Sequence, residues 1–250
     1  GETVLMGCAR TGSTDAVRAL LVAGADVDAR EQSEHQTALM WGVAQRHAGV
    51  VRLLIEYGAD VAARSRERRK VISRRLQSEL KYGELGRNYG TDAEETRVGG
   101  FTPLLFAARH GDVASARLLL EAGADVNDRA PDGATALVVA VHSDHRALAL
   151  FLLEQGANRA AASAGYTALH AAALTGDVVV VEALLAHGAR PDAQVTLATK
   201  VTRNGQVLMI GEHLLGATPF ALAAKFTEVE IMRVLAEADA DARLPLKNGW

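Results

Sequence analysis

The chain is poor in the residues that build several common kinds of functional site. Cys8 is the only cysteine among 250 residues, which excludes an intrachain disulfide and a metal site made of several cysteines. Aromatic residues make up only 4%, which favours many small, similar helix contacts over one large core anchored on rings. A formal net charge of −3 gives no global reason to expect nucleic acid or a membrane as a partner. No run approaches the roughly 18 apolar residues of a membrane-spanning helix.

Sequence patterns for catalysis are also missing. We find no glycine-rich phosphate loop, nucleophile elbow or paired-carboxylate motif. His142 and His145 have a spacing that could hold a metal, but no third ligand is placed, so they are interpreted as surface residues of a turn. Asp112, Asp144 and Asp177 recur at the turn inside successive units, so we expect them to cap helices. The sequence therefore predicts no catalytic, metal or cofactor site.

What the chain does contain is a repeated unit. Six segments carry an apolar pair such as Leu53-Leu54, followed after a few residues by Gly-Ala or, in the sixth, by Asp239 and Ala240. Each unit opens with a threonine, and successive threonines are 34, 65, 33, 32 and 51 residues apart. Three steps show the period directly, and the other two read as one period plus extra residues. The threonines are Thr3, Thr37, Thr102, Thr135, Thr167 and Thr218.

Each unit predicts a pair of short helices. The threonine can cap a first helix with an alanine-rich interior, which lets neighbouring units approach closely. A second helix carries the apolar pair and ends at a glycine suited to the left-handed conformation. In the sixth unit Asp239 takes the place of that glycine.

The units resemble ankyrin repeats, most clearly the segments GFTPLLFAA at residues 100–108 and YTALHAA at residues 166–172. The resemblance implies an all-α solenoid of stacked helix pairs with hairpin fingers, here a bacterial-style array with two insertions. His170 alone keeps the family's histidine, whose usual role is structural. We expect one solenoid domain over residues 1–250. Its repeats are predicted at 2–30, 34–63, 100–129, 132–160, 164–193 and 216–243, with a seventh beginning at 247–250 and insertions at 64–99 and 194–215.

Both ends of the chain are expected to lie inside a longer array. The first unit has no finger before it, and residues 247–250 read as the finger of a seventh repeat. The native N-terminus is therefore not expected in this chain. We expect a soluble protein, either cytoplasmic or bacterial periplasmic, and the sequence does not distinguish these two compartments.

The first insertion is basic, with ten basic and six acidic residues over 64–99. Val71, Ile72, Leu76 and Leu80 recur at helical spacing, which predicts an amphipathic helix stopping near Gly83. One interpretation is a solvated helix packed on the array, and the other is a docking element for an acidic partner. Nucleic acid is not expected there, because aromatic residues are not interleaved with the charges. The basic residues are Arg64, Arg66, Arg68, Arg69, Lys70, Arg74 and Arg75.

The second insertion predicts a β-hairpin. Two β-branched runs flank Asn204-Gly205 within residues 199–210, and this dipeptide is a strong signal for a tight hairpin turn. Pairing across the turn sets Val201 opposite Leu208 and Thr199 opposite Ile210. We expect the array to cover the apolar face of the hairpin, as decoration or as part of a partner contact.

The resemblance also implies a partner-binding surface. In ankyrin repeats it is the concave face made by the first helices and the finger tips, so positions are carried over from each threonine. Aromatic residues are concentrated in this set, as they are at interface hot spots, although some members could instead pack under the insertions. The set is Gln36, Trp41, Phe101, Phe106, Arg109, His110, Val139, His142, Ser143, Tyr166, Leu174, Thr175, Leu222, Lys225 and Phe226.

Three functions stay open at the level of the sequence. The main hypothesis is a non-enzymatic module that binds a protein partner. A second is the substrate-recognition or regulatory part of a larger enzyme whose chemistry lies outside residues 1–250. A third is self-assembly into a homo-oligomer through the concave stripe and the basic insertion.

Overall fold

The computed structural model describes residues 1–73, 93–197, 199–203, 206–210 and 214–247. Side chains are described for these residues except in the strand segments 70–73, 93–97, 199–203 and 206–210. Twelve helices in the described ranges form six consecutive pairs. The pairs are α1 (Val4–Thr11) with α2 (Thr14–Val22), α3 (Ala38–Ala44) with α4 (Ala48–Glu56), α5 (Pro103–His110) with α6 (Val113–Glu121), α7 (Ala136–His142) with α8 (Arg146–Glu154), α9 (Ala168–Thr175) with α10 (Val178–Ala186), and α11 (Pro219–Lys225) with α12 (Val229–Glu237).

The opening threonine is the N-cap of the first helix in every pair. In five pairs its hydroxyl accepts a hydrogen bond from the backbone N–H three residues later, for example at 3.2 Å between Thr3 Oγ1 and Met6 N. Thr102 has the same extended backbone but lacks this bond, and Pro103 follows it at the first helical position. Proline presets the helical φ there. The predicted threonine caps are therefore confirmed.

The aspartates of the inter-helix turns play two different roles. Asp112 and Asp177 cap α6 and α10 and accept hydrogen bonds from the N–H groups of Ser115 and Val180. The prediction that Asp144 is a cap of the same kind is wrong. Asp144 lies one position earlier in its unit, at a φ of 61°, and the N-cap of α8 is His145. Aspartate is one of the few residues that tolerate this left-handed conformation.

One residue in each inter-helix turn has the left-handed backbone conformation, and its type alternates along the array. The first, third and fifth turns use Gly12, Gly111 and Gly176, and the second, fourth and sixth use Arg46, Asp144 and Thr227. Each glycine faces a side chain of the next unit. A Cβ on Gly111 would lie 2.6 Å from the ring of His145, one on Gly12 would lie 2.8 Å from His47, and one on Gly176 would lie 3.2 Å from Glu228. The cap histidines His47 and His145 therefore need a glycine in the unit before them, whereas Glu228 presents only the flexible end of its side chain to Gly176.

The helices stack in two rows. The first-helix row is α1, α3, α5, α7, α9 and α11, and the second-helix row is α2, α4, α6, α8, α10 and α12; successive members of each row contact one another. Fully buried leucines such as Leu54, Leu119 and Leu152 lie between the rows. Alanines without exposed surface, such as Ala108 and Ala172, allow close approach within the first-helix row. The core thus extends along the array, and each pair is buried by its neighbours.

Neighbouring fingers are joined by side-chain to backbone hydrogen bonds at equivalent positions. Asp28 accepts a bond from the N–H of Asp60 at 2.9 Å, and Asp192 accepts one from Asp241 at 2.9 Å. Asn127 accepts the corresponding bond from Asn158 at 2.7 Å. These contacts fix each finger against the next.

A buried carboxylate organises the finger before α3. Glu31 is 6% exposed, and its side chain accepts hydrogen bonds from the N–H groups of Ser33, Glu34 and Gln36 and from the Ser33 hydroxyl. Desolvation acts to raise the pKa of Glu31, but these hydrogen bonds together lower it to about 2. No sequence pattern points to this residue.

The first insertion forms a strand pair where it is described, not a helix. β1 (Glu67–Ser73) pairs antiparallel with β2 (Ala93–Gly99), from Glu67 opposite Gly99 to Ser73 opposite Ala93. The predicted helix is therefore wrong over its first part, which includes Val71 and Ile72. Its remaining apolar positions, Leu76 and Leu80, lie outside the described residues.

The second insertion is the predicted hairpin. β3 (Thr199–Arg203) pairs antiparallel with β4 (Gln206–Ile210), with Val201 opposite Leu208 and Thr199 opposite Ile210. This register is the one that the sequence predicts. β3 contacts α7 and α9 of the first-helix row, so the array borders the hairpin on this side.

Candidate partner-binding groove

The predicted partner-binding residues differ in how far they are exposed. Phe106, Tyr166, Leu174 and Leu222 are core residues, at most 8% exposed. They fill space within the first-helix row and between it and the fingers, so their part in binding stays a prediction. Arg109 and Lys225 are exposed. The half-buried members are Gln36, Trp41, Phe101, His110, Val139, His142, Ser143, Thr175 and Phe226.

Six of these residues line one concavity of about 230 Å³. It is formed by the third, fourth and fifth units, and small residues such as Ala134 and Ala164 leave the space that the larger side chains surround. We call it the groove cavity. Its volume is below that of usual small-molecule pockets and suits a single side chain of a partner. The six predicted residues that line it are Phe101, Arg109, Val139, His142, Ser143 and Tyr166.

The groove cavity contains a hydrogen-bonded Tyr–His pair. The Tyr166 hydroxyl lies 3.1 Å from His142 Nδ1, and the two rings are tilted against each other. Burial lowers the pKa of His142, and nearby Asp132 opposes the shift. Burial and Asp132 both raise the pKa of Tyr166. At neutral pH the pair is therefore uncharged, and it offers hydrogen bonds beside apolar walls.

Two ring contacts support the exposed part of this face. Phe101 meets the buried Phe106 edge to face, with 5.9 Å between ring centroids. The Arg10 guanidinium lies 5.5 Å from the centroid of the Trp41 ring and is also 3.4 Å from Glu2. Such contacts hold aromatic side chains in one orientation. They give the first-helix row a preformed apolar surface.

The first arginines of the basic insertion connect neighbouring fingers. Arg64 forms an ion pair with Asp128 and donates to the carbonyls of Gly100 and Arg129, each at 3.0 Å. Arg68 pairs with Glu34 and donates to the Ser33 carbonyl at 3.3 Å. The side chain of Arg66 lies 2.9 Å from His35 Nε2. These contacts are structural, so the three arginines are less available to an acidic partner than the sequence implies.

The other basic positions of the insertion divide into two groups. Arg69 is exposed, and Lys70 lies in β1. Arg74 and Arg75 lie outside the described residues. Their predicted contact with an acidic partner stays a prediction.

His170 is a structural histidine, as the resemblance implies. Its side chain is fully buried, its Nδ1 accepts from the Thr167 N–H at 3.1 Å, and its Nε2 donates to the Ala217 carbonyl at 3.2 Å. Desolvation lowers its pKa to about 4, against the opposing effect of its backbone hydrogen bonds. The neutral ring thus joins the fifth unit to the segment that opens the sixth.

The turn of the fourth unit holds the two histidines whose spacing could hold a metal. His142 and His145 are both half-buried at the turn, with hydrogen bonds to Tyr166 and to the Arg109 carbonyl. Within the described ranges no three His, Cys, Asp or Glu side chains come together as a metal site. Among the same residues, no helix has the length and apolar character to cross a membrane.

The fold and this face together define a helical repeat solenoid. The family model for ankyrin repeats matches three times, over residues 1–65, 84–162 and 104–195. This chain belongs to the ankyrin-repeat family, whose domains are generally protein–protein interaction modules.

Individual relatives agree with this assignment. Ankyrin repeat and SOCS box protein 16 of Mus musculus is 36% identical over 194 residues, which is 72% of this chain and 42% of the relative. E3 ubiquitin-protein ligase XBAT33 of Arabidopsis thaliana is 41% identical over 38% of this chain and 19% of its own length. The chain thus spans less than half of these relatives. The crystal structure of the human ASB11 ankyrin repeat domain has a TM-score of 0.70 at 21% identity, covering 100% of this chain and 89% of that one.

Proposed function

We propose that this chain is a non-enzymatic module that binds a protein partner on the surface of its first-helix row. The observation that carries the proposal is the groove cavity, where six residues from three successive units surround one small concavity. Partner surfaces of proteins bury apolar side chains in such central pockets, and a polar rim excludes water around them. In ankyrin arrays this row forms the concave face.

The chemistry of the cavity supports binding better than catalysis. His142 and Tyr166 are hydrogen-bonded, but their pKa values are shifted away from neutral in opposite directions. A general acid–base pair works best when its pKa values lie near the operating pH. Val139 and Phe101 leave apolar surface half-exposed beside this pair, which suits an anchor side chain.

A matched pair of valines tests the proposed face. Val139 lines the groove cavity, and Val179 is 43% exposed on the second-helix row. We would immobilise the wild-type chain, Val139→Arg and Val179→Arg, and identify retained proteins from the source organism by quantitative mass spectrometry. Proteins bound through the proposed face should be retained by wild type and Val179→Arg, and at least tenfold depleted on Val139→Arg.

Circular dichroism and thermal unfolding of both variants would show whether the fold survives. If a folded Val139→Arg retains the same proteins as wild type, the proposed face is wrong.

A second candidate function is substrate recognition within a larger enzyme. The supporting observation is that one relative is named an E3 ubiquitin-protein ligase and is matched over only 19% of its length. The sequence of the full-length gene would distinguish this from a free-standing interaction module. An adjoining catalytic domain would favour the enzyme, and further repeats alone would favour the module.

A further inference from the structure

Two arginines of adjacent units lie at the C-terminal ends of neighbouring helices in the first-helix row. Arg46 follows α3 at a φ of 61°, and Arg109 lies in the last turn of α5, the next helix of the row. Both side chains are exposed, and Arg109 lines the groove cavity. His110 is half-buried beside them.

Both arginines lie near enough to His110 to influence its protonation. Partial burial lowers the pKa of His110, and the charges of Arg109, Arg46 and His145 lower it further. Asp112 is the opposing charge that acts on His110, but Asp112 is 5% exposed and caps α6. Positive charge therefore collects at these helix ends, and Asp132 is a carboxylate that shares the lining of the groove cavity with Arg109.

Neither arginine forms an ion pair with the part of the chain that the structure describes. Three arginines elsewhere in the described array are used internally: Arg64 pairs with Asp128, Arg146 with Asp177 at 2.9 Å, and Arg10 contacts Glu2 and the Trp41 ring. Like charges repel, so gathering unpaired arginines costs stability unless a ligand supplies the opposite charge. A guanidinium offers a planar fork of donors that matches a carboxylate.

We infer that the first-helix row binds an extended segment of an acidic protein, with a carboxylate against Arg46 and Arg109 and an adjacent apolar side chain in the groove cavity. The inference deepens the proposed function and depends on it. Because Arg109 borders the cavity, the acidic and apolar residues of the segment lie within a few positions of each other. Nucleic acid is disfavoured as the occupant, because a polyanion would meet a chain whose net charge is −3.

A selection from random dodecapeptides displayed on phage tests this chemistry with a defined probe. Peptides selected on the wild-type chain should be enriched in Asp and Glu next to Leu, Ile or Phe. The enriched peptides would be synthesised with a fluorescent label, and their Kd measured by fluorescence anisotropy. Recovery of binders without acidic enrichment overturns the inference.

Charge reversal provides the matched variants. The double substitution Arg46→Glu with Arg109→Glu should weaken the selected peptides at least tenfold. The control, Arg18→Glu with Arg52→Glu, makes the same charge change at exposed positions of α2 and α4 in the second-helix row. It should change Kd less than twofold. Binding of wild type should also weaken as salt rises, because exposed charges are screened.

The remaining outcomes separate the inference from the proposed function. Peptides that are lost with Val139→Arg but unaffected by reversal of Arg46 and Arg109 overturn the acidic partner and leave the proposed face standing. Peptides unaffected by both changes contradict the proposed face as well. Two further results overturn the acidic peptide as occupant: tighter, arginine-dependent binding of a labelled single-stranded or duplex DNA, or a dimer in light scattering that charge reversal dissociates.

Discussion

His170 shows how one residue can join two repeats and determine the response of the fold to acid. The ring is buried in its neutral form, between the cap of α9 and the Ala217 carbonyl. In the unfolded chain a histidine titrates near its ordinary pKa of 6.5, but in the folded chain the pKa of His170 is about 4. Between these values the unfolded chain binds a proton that the folded chain excludes. Stability is therefore complete above pH 6.5 and falls as the pH drops toward 4.

The substitution His170→Asn should remove this acid response. At pH 7.5 it should cost about 1–2 kcal/mol, because one of the two hydrogen bonds is lost. Between pH 6.5 and 4, wild type should lose roughly 3 kcal/mol through this residue, and the variant should not. Urea unfolding at pH 7.5 and pH 5 measures the difference. The exposed His187→Asn is the control, and a variant that keeps the full acid loss would contradict the assignment.

Glu31 affects stability at lower pH than His170 does. It acts in its charged form, whereas His170 acts in its neutral form. Its charged form accepts the hydrogen bonds of the finger, and its pKa is lowered to about 2. Its contribution is therefore present above its ordinary pKa of 4.5 and is lost as the pH falls toward 2. Glu31→Gln should cost about 1–2 kcal/mol at pH 7, since a neutral amide accepts more weakly. Urea unfolding would measure this, with the exposed Glu56→Gln as control; equal stability of both variants would rule out the role.

At the scale of the element, the turn inside each helix pair shows why two similar positions respond differently to substitution. Gly111 and Asp144 are equivalent in their units and have φ values of 69° and 61°. Gly111 also has the His145 ring against it, so a Cβ there meets both backbone strain and a contact of 2.6 Å. Asp144 already carries a Cβ in the same conformation.

Adding a Cβ at Gly111 and removing the Cβ of Asp144 should therefore have opposite effects on the free energy of unfolding. Gly111→Ala should destabilise the fold by about 2 kcal/mol, and Asp144→Gly should be neutral or stabilise it by up to about 1 kcal/mol. In a His145→Ala background, the cost of Gly111→Ala should fall to about 1 kcal/mol, the part due to strain. Chemical unfolding of the four variants measures the coupling. Costs for Gly111→Ala that are equal in both backgrounds would disprove the contact as their cause.

The two insertions illustrate which elements the sequence can predict. Asn204-Gly205 fixes a local turn, so the register of β3 and β4 follows from residues a few positions apart. β1 instead pairs with β2, whose residues begin about twenty positions after β1 ends. The sequence close to Val71 and Ile72 shows only their helical spacing with Leu76 and Leu80. Non-local pairing overrides that pattern, and for this reason the predicted helix fails where the structure describes it.

At the scale of the whole molecule, the period and the capping residues predicted repeated helix pairs, and the resemblance to ankyrin repeats implied the solenoid. The site was predictable only in part. The positions that the resemblance carries over include Phe101, Val139 and Tyr166, and these three line one cavity because successive units stack in register. Their exposure was not predictable, since it depends on what the adjacent unit presents. Ala134 and Ala164 open the cavity, whereas Phe106 and Tyr166 are packed within it or behind it.

The alternation of glycine and non-glycine turns makes the odd-numbered and even-numbered units differ in what they can adjoin. Excision of the third unit alone would bring His145 against Arg46, where a real Cβ would take the place that Gly111 leaves open. Excision of the third and fourth units together would instead place Asp177, a cap like Asp112, after Arg46. Loss of an odd unit such as the third, or duplication of an even one such as the fourth, therefore creates a junction that needs a second substitution. Loss of the fourth unit alone would instead place Asp177 after Gly111, and duplication of the third would place Asp112 after Gly111, so neither event brings a cap histidine against a Cβ.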